Sequence, residues 1–172
     1  AKSEKVKDIL TIANEAHVTS PNGTNLFIPL QKKQGYADLG ILDKPGLFST
    51  LPAGEASIAP NDNEARGVLV VDSGMGMNFQ EKEHLVLNFK NGKAYRISGD
   101  MAAERLRRQL ALFGPRSRLM AEFGIGTNNT AIISGHALED KKVLGTIHIG
   151  IGNNMLLGGT NDIPVHLDGM VH

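Results

Sequence analysis

Val143-Leu-Gly-Thr-Ile-His-Ile-Gly-Ile-Gly152 carries the pattern that decides the fold class. Ile147, Ile149 and Ile151 recur at every second position, so in a strand they share one face while Thr146, His148 and Gly150 share the other. Pro164 to Val171 reads the same way, with His166 and Asp168 projecting together and Val165 and Leu167 facing a core. A further strand is predicted over Ala131 to Ser134. Toward the N-terminus, His84 to Phe89 and Lys93 to Ser98 alternate around Asn91-Gly92, a pair that favours tight hairpin turns. Gly67 to Asp72 is a continuous apolar run, which predicts a strand buried on both faces. Val18 to Leu30 reads as a hairpin turning at Pro21-Asn22-Gly23.

Only two helices stand out among these strands. The first starts at Ser3, sets Val6, Ile9, Leu10 and Ala13 on one face, and is expected to end near Ala16. The second follows Asp100 as its cap, aligns Leu106, Leu110 and Phe113, pairs Glu104 with Arg108, and stops at Gly114-Pro115. Few helices and many strands predict a mixed α+β fold whose sheet is largely antiparallel or barrel-like. With no internal repeat, low-complexity tract or linker, residues 1–172 are expected to form one domain.

Composition narrows the function. The 18 basic and 18 acidic residues cancel, so there is no electrostatic footprint for nucleic acid or an acidic membrane surface. No apolar run is long enough to span a bilayer, and the first residues are charged, so no membrane segment or signal core is expected. Cysteine is absent, which excludes thiol nucleophiles and thiolate ligands and fits the cytoplasm, the expected compartment. Any metal must therefore sit on His, Asp and Glu.

Four segments bring such groups among glycines and aliphatic residues. His166 and Asp168 lie on one strand face, close enough for both to reach one ion. His148 shares its face with Gly150 and Thr146, and taken alone it reads sooner as a core histidine hydrogen-bonded to backbone than as a ligand. Glu122 precedes Phe123-Gly-Ile-Gly126, and Glu55 lies between Gly54 and Ala56 at the exit of a proline- and glycine-rich loop. A carboxylate in such surroundings needs a partner to offset desolvation, and a shared cation would serve all four segments. The paired glycines Gly124-Ile-Gly126 and Gly150-Ile-Gly152 lack the third glycine of a dinucleotide fingerprint, and no serine nucleophile elbow occurs.

Leu51-Pro-Ala-Gly-Glu-Ala-Ser-Ile-Ala-Pro60, Ala121-Glu-Phe-Gly-Ile-Gly-Thr-Asn128, Leu138 to Gly152 and Val165-His-Leu-Asp-Gly169 resemble, in order and spacing, the C-terminal part of the thermophilic metallo-aminopeptidases of the aminopeptidase T and aminopeptidase S type. The resemblance implies two divalent ions, zinc or cobalt, shared by Glu55, Glu122, His148, His166 and Asp168, with Glu55 or Glu122 as the proton shuttle. It also implies a peptide substrate, release of N-terminal residues and a homodimer. Members of that family are about twice as long, so this chain is expected to correspond to their catalytic part. They also carry a Tyr shortly after the ligand histidine, where this chain reads Asn153-Asn-Met-Leu-Leu157. A related branch of the superfamily cleaves a dihydroxylated pyridine ring with one Fe(II), and His148, His166 and Asp168 would supply its two imidazoles and one carboxylate. A third alternative is a non-catalytic binding or oligomerisation domain.

Overall fold

The structure, a computed structural model, describes residues 2–31, 33–79 and 83–172. In chain order its elements are helix α1 (Lys2–Ile12), strands β1 (Glu15–Thr19), β2 (Asn25–Pro29), β3 (Tyr36–Asp38), β4 (Glu55–Ile58), β5 (Arg66–Val71), β6 (Ser73–Gly74), β7 (Leu85–Lys90) and β8 (Lys93–Gly99), helix α2 (Met101–Ala111), strand β9 (Met120–Gly126), the short helix α3 (Ala137–Asp140), and strands β10 (Ile147–Gly152) and β11 (His166–Val171). The strands form two sheets in the orders β1-β2-β5-β7-β8 and β3-β4-β9-β10-β11-β6, and every pairing between neighbours is antiparallel. This is the mixed α+β architecture that the sequence predicts, in its antiparallel form.

One apolar cluster joins the two sheets. Leu26, Leu69, Leu85 and Leu87 from the first meet Ile58, Phe123, Ile149 and Ile151 from the second, all nearly or fully excluded from solvent. Helix α2 lies against β8 and adds Leu106 and Leu110 to the core, each stabilising the fold by about 1.5–3 kcal/mol on burial. Glu104 on its outer face bonds both Arg107 and Arg108, the second being the expected i, i+4 pair. Asp100 precedes the helix without capping it through its side chain; its carboxylate accepts the backbone N–H of His84 instead.

Four local expectations are corrected. Helix α1 stops at Ile12, because the chain from Glu15 is taken up in pairing with Asn25–Pro29. Residues 131–134 form no strand: the backbone N–H groups of Ile132, Ser134 and Gly135 turn to the carboxylates of Glu139 and Asp140. In the next segment the regular strand begins only at Ile147, since Val143 to Thr146 is a turn closed by Thr146 N–H on the Val143 carbonyl. Strand β5 buries Leu69 and Val71 but leaves Val68 and Val70 half-covered, as suits an antiparallel sheet with a single core-facing side.

The second sheet uses its two faces differently. Alternation puts Ile149, Ile151, Phe123 and Leu167 toward the core, so Glu55, Glu122, His148, His166 and Asp168 emerge on the other face. The segment after α3 covers that face and carries Lys141 and Lys142 onto it.

Candidate metal centre

All five predicted residues come together. The register shows how one face accommodates them: Glu55 pairs across the sheet with Gly126, His148 with Gly124, Glu122 and Asp168 both with Gly150, and His166 with Gly152. Directly paired positions place their Cβ atoms only about 5 Å apart, so large side chains on neighbouring strands compete for space. Opposing each ligand-type side chain with a glycine removes the competition. A Cβ on Gly150 would come within 2.9 Å of Asp168 Oδ1, Glu122 Cβ and His166 Cε1, and one on Gly124 would overlap the His148 imidazole. The glycines singled out in the sequence are thus the cradle of the site.

Two groups of potential ligands result, Glu55–Glu122–His148 and Glu122–His166–Asp168, each with its donor atoms within 4.8 Å of one another. Glu122 belongs to both. His148 Nε2 lies 3.3 Å from Glu55 Oε2 and 3.3 Å from Glu122 Oε1; His166 Nε2 lies 3.1 Å from Glu122 Oε2 and 3.0 Å from Asp168 Oδ1. The inner group is buried, whereas the His166 side chain is 31% exposed and forms the open edge.

Tautomers follow from the partners. His166 Nδ1 is 2.6 Å from the Asn153 carbonyl, which only accepts, so Nδ1 carries a hydrogen and Nε2 faces two carboxylates. Nε2 must then hold a proton or share a cation with them. His148 presents its Nε2 to two carboxylates in the same way, while its Nδ1 and Glu55 Oε2 are buried without hydrogen-bond partners among the described residues. An orphaned polar atom inside a protein is costly, and a cation among these carboxylates would satisfy Glu55 Oε2. A metal-directed imidazole whose other nitrogen is tied to a carbonyl, as in His166, is the usual outer-shell arrangement of metal sites.

Titration behaviour reflects the same competition. Burial opposes charge on His166, but hydrogen bonds to Asp168 and Glu122 outweigh it and push its pKa up to about 11. Burial likewise opposes the charged forms of His148, Glu122 and Asp168, and again the partners prevail. His148 is raised by Glu122 above all, Glu122 is held well below the usual carboxylate range by the two imidazoles, and Asp168 is lowered to about 2, chiefly by His166. At each imidazole Nε2 a proton and a divalent ion would therefore compete for the same carboxylates.

Four further residues were not singled out in the sequence. Lys142, fully buried, donates to Asp38 Oδ2 at 2.7 Å and Glu55 Oε1 at 2.6 Å. Asp38 also accepts from Ser49 Oγ and Thr50 Oγ1, and despite its burial it is held below its usual pKa by Lys142 above all, with these hydroxyls adding to the effect. Lys141 Nζ lies 3.2 Å from Asp168 Oδ2 and 3.7 Å from Glu55 Oε2, which raises its pKa in spite of desolvation. Asn153 contributes its carbonyl to His166. A lysine pair between Asp140 and Val143 looks like a solvated turn, and only the tertiary approach of Asp38 reveals otherwise.

Among solved structures, 2,5-dihydroxypyridine dioxygenase from Pseudomonas putida KT2440 superposes with a TM-score of 0.89 at 24% identity over 99% of this chain and 53% of that one. Wild-type AmpT from Thermus thermophilus gives a TM-score of 0.77 at 22% identity over 97% of this chain and 46% of its own. At such identities both likenesses concern the fold alone. The sequence is also 28% identical over 173 aligned residues to the curated 2,5-dihydroxypyridine 5,6-dioxygenase of Pseudomonas putida, covering 93% of this chain and 49% of the relative. The chain thus spans about half the length of the relatives it matches. The family described as NicX, 2,5-dihydroxypyridine 5,6-dioxygenase, matches residues 1–171. These findings overturn the expected aminopeptidase activity, and with it the hydrolase and metalloprotease class and the support for zinc or cobalt. What the aminopeptidase resemblance captured was the shared fold. The chain belongs to the 2,5-dihydroxypyridine 5,6-dioxygenase family.

Proposed function

We propose that this chain carries the metal centre of a ring-cleaving dioxygenase for a dihydroxylated pyridine, with one divalent iron held by Glu122, His166 and Asp168; His148, expected as the second imidazole ligand, groups with Glu55 and Glu122 instead. The charge balance of the site carries this reading. Asp38, Glu55, Glu122 and Asp168 supply four negative charges and Lys141 and Lys142 two positive ones, so the cluster lacks two positive charges. One divalent ion closes that gap with both imidazoles neutral. A second would leave a buried surplus of positive charge, which a low-dielectric site resists.

A ferrous ion there would supply the spin-permitted route by which dioxygen reacts with an aromatic ring, the role that mixed histidine–carboxylate sites with open positions serve. The chain's own groups set the geometry. Asn153 fixes the His166 ring through Nδ1, and Lys141 holds Asp168 by its second oxygen. Lys142 anchors Glu55, so the inner wall is rigid and dry, while the edge at His166 admits the substrate ring.

The test is oxygen uptake. Protein loaded anaerobically with Fe(II) and mixed with 2,5-dihydroxypyridine and oxygenated buffer should consume one O2 per ring lost. Protein that retains iron yet consumes neither ring nor oxygen would defeat the proposal.

A further inference from the structure

Lys141 and Lys142 are adjacent in sequence but do different things. Lys142 is committed to Glu55 Oε1 and to Asp38, which belongs to neither group of potential ligands. It also meets Glu55 on the oxygen turned away from His148, since His148 faces Oε2. Lys141 instead reaches Glu55 Oε2 at 3.7 Å and Asp168 Oδ2 at 3.2 Å. Glu55 belongs to the inner group and Asp168 to the outer, so one ammonium touches a carboxylate of each. Its side chain is only 12% exposed, and so its charge acts with little screening.

Five groups of ligand type sharing Glu122 are enough, by composition, to hold two ions. Hard, oxygen-rich sites take up divalent ions according to the negative charge they present. A cation next to the vacant carboxylate oxygen of Glu55 is what a second ion would have to displace or tolerate. With Lys141 present the cluster lacks two positive charges, and a second divalent ion would leave a surplus of two; without it the cluster lacks three, and the remaining surplus of one is what a single bound hydroxide would cancel.

We infer that Lys141 is the residue that limits this centre to a single divalent ion, its ammonium standing in for the charge of a second one at Glu55–Glu122–His148. The inference rests on the metal centre proposed above and extends it from which ion is bound to how many. Lys141 is a positioning residue here, since it acts on the carboxylates and requires no contact with substrate.

Metal stoichiometry tests it without turnover. Wild type, Lys141→Met, Lys141→Gln and Lys141→Arg are saturated with Mn(II) under anaerobic conditions, desalted and analysed for metal per chain, with folding followed by circular dichroism. The expected result is one ion in wild type and in Lys141→Arg, and two in Lys141→Met and Lys141→Gln. The EPR spectrum of the neutral variants should broaden as two Mn(II) ions couple, a change that mere loosening of the fold would not produce. Two ions in wild type overturn the inference whatever the variants do, so it remains testable even where a variant misfolds. One ion in wild type and in both folded neutral variants overturns it while leaving the mononuclear centre standing. No ion in any of the four overturns the inference and the proposed centre together.

Discussion

Replacing Lys142 by Met should be among the most damaging single changes in the molecule. Met keeps most of the unbranched stem, so the change isolates the ammonium, which is fully buried and bonds Asp38 at 2.7 Å and Glu55 at 2.6 Å. Asp38 keeps its bonds from Ser49 and Thr50, but Glu55 Oε1 loses its hydrogen-bond donor while Glu55 Oε2 already has none. Breaking a buried ion pair from one side costs about 3–5 kcal/mol, because the remaining charge is left uncompensated. Against a total stability of about 5–15 kcal/mol, that is a large share. For a chain of this size each kcal/mol moves the melting temperature by about 2–4 °C, so the midpoint should fall by about 6–20 °C. Urea unfolding of metal-free protein, with the slope checked for constancy, measures the loss directly. The companion Asp38→Asn/Lys142→Met double variant should lose less than the two single changes added together, as expected for coupled partners. A loss below about 1 kcal/mol for Lys142→Met would mean that the pair behaves like an exposed one, and the account of a rigid inner wall would fall.

Two further outcomes follow from the cradle and its protons. Gly150→Ala should weaken metal binding at least tenfold in a competition titration while leaving the circular dichroism spectrum in place, because its Cβ meets Asp168, Glu122 and His166 at 2.9 Å; undiminished affinity would show that the ligands do not depend on that gap. The imidazolium of His166 contributes stability to metal-free protein that is complete below its ordinary pKa of 6.5 and is lost as pH rises toward about 11. Thermal melts should therefore decline across that window without metal, whereas metal affinity should rise across it as protons are released; a melting temperature that climbs with pH in the metal-free protein would contradict the assigned charges.

Much of the fold could be read because its signals are local. The Asn91-Gly92 turn, the alternation in Ile147 to Ile151 and the amphipathic spacing of Leu106 and Leu110 each lie within a few residues, and each element formed. The failures were competitive: Ile12 to Ala16 has helical spacing, yet pairing with β2 claims the chain from Glu15, and residues 131–134 are apolar enough for a strand but find carboxylates nearer than any edge. At the site, the five ligand-type residues were legible because acids and imidazoles set among glycines are chemically unusual. The lysines were not, because their meaning depends on Asp38 and Glu55, which reach them from distant parts of the chain. The sequence-based reading brought five side chains to one place, but the chemistry it attached to them, aminopeptidase hydrolysis, is overturned by the family match.

The most direct test of the central claim uses isotopic oxygen. Fe(II)-loaded protein is supplied with 2,5-dihydroxypyridine under 18O2, and the products are examined by mass spectrometry alongside an identical reaction of His166→Ala. The account predicts a ring-opened product that carries both atoms of one 18O2 molecule in the wild-type reaction and none in the variant, whose iron content should fall with its activity. An unlabelled product, or equal labelling by His166→Ala, would contradict it.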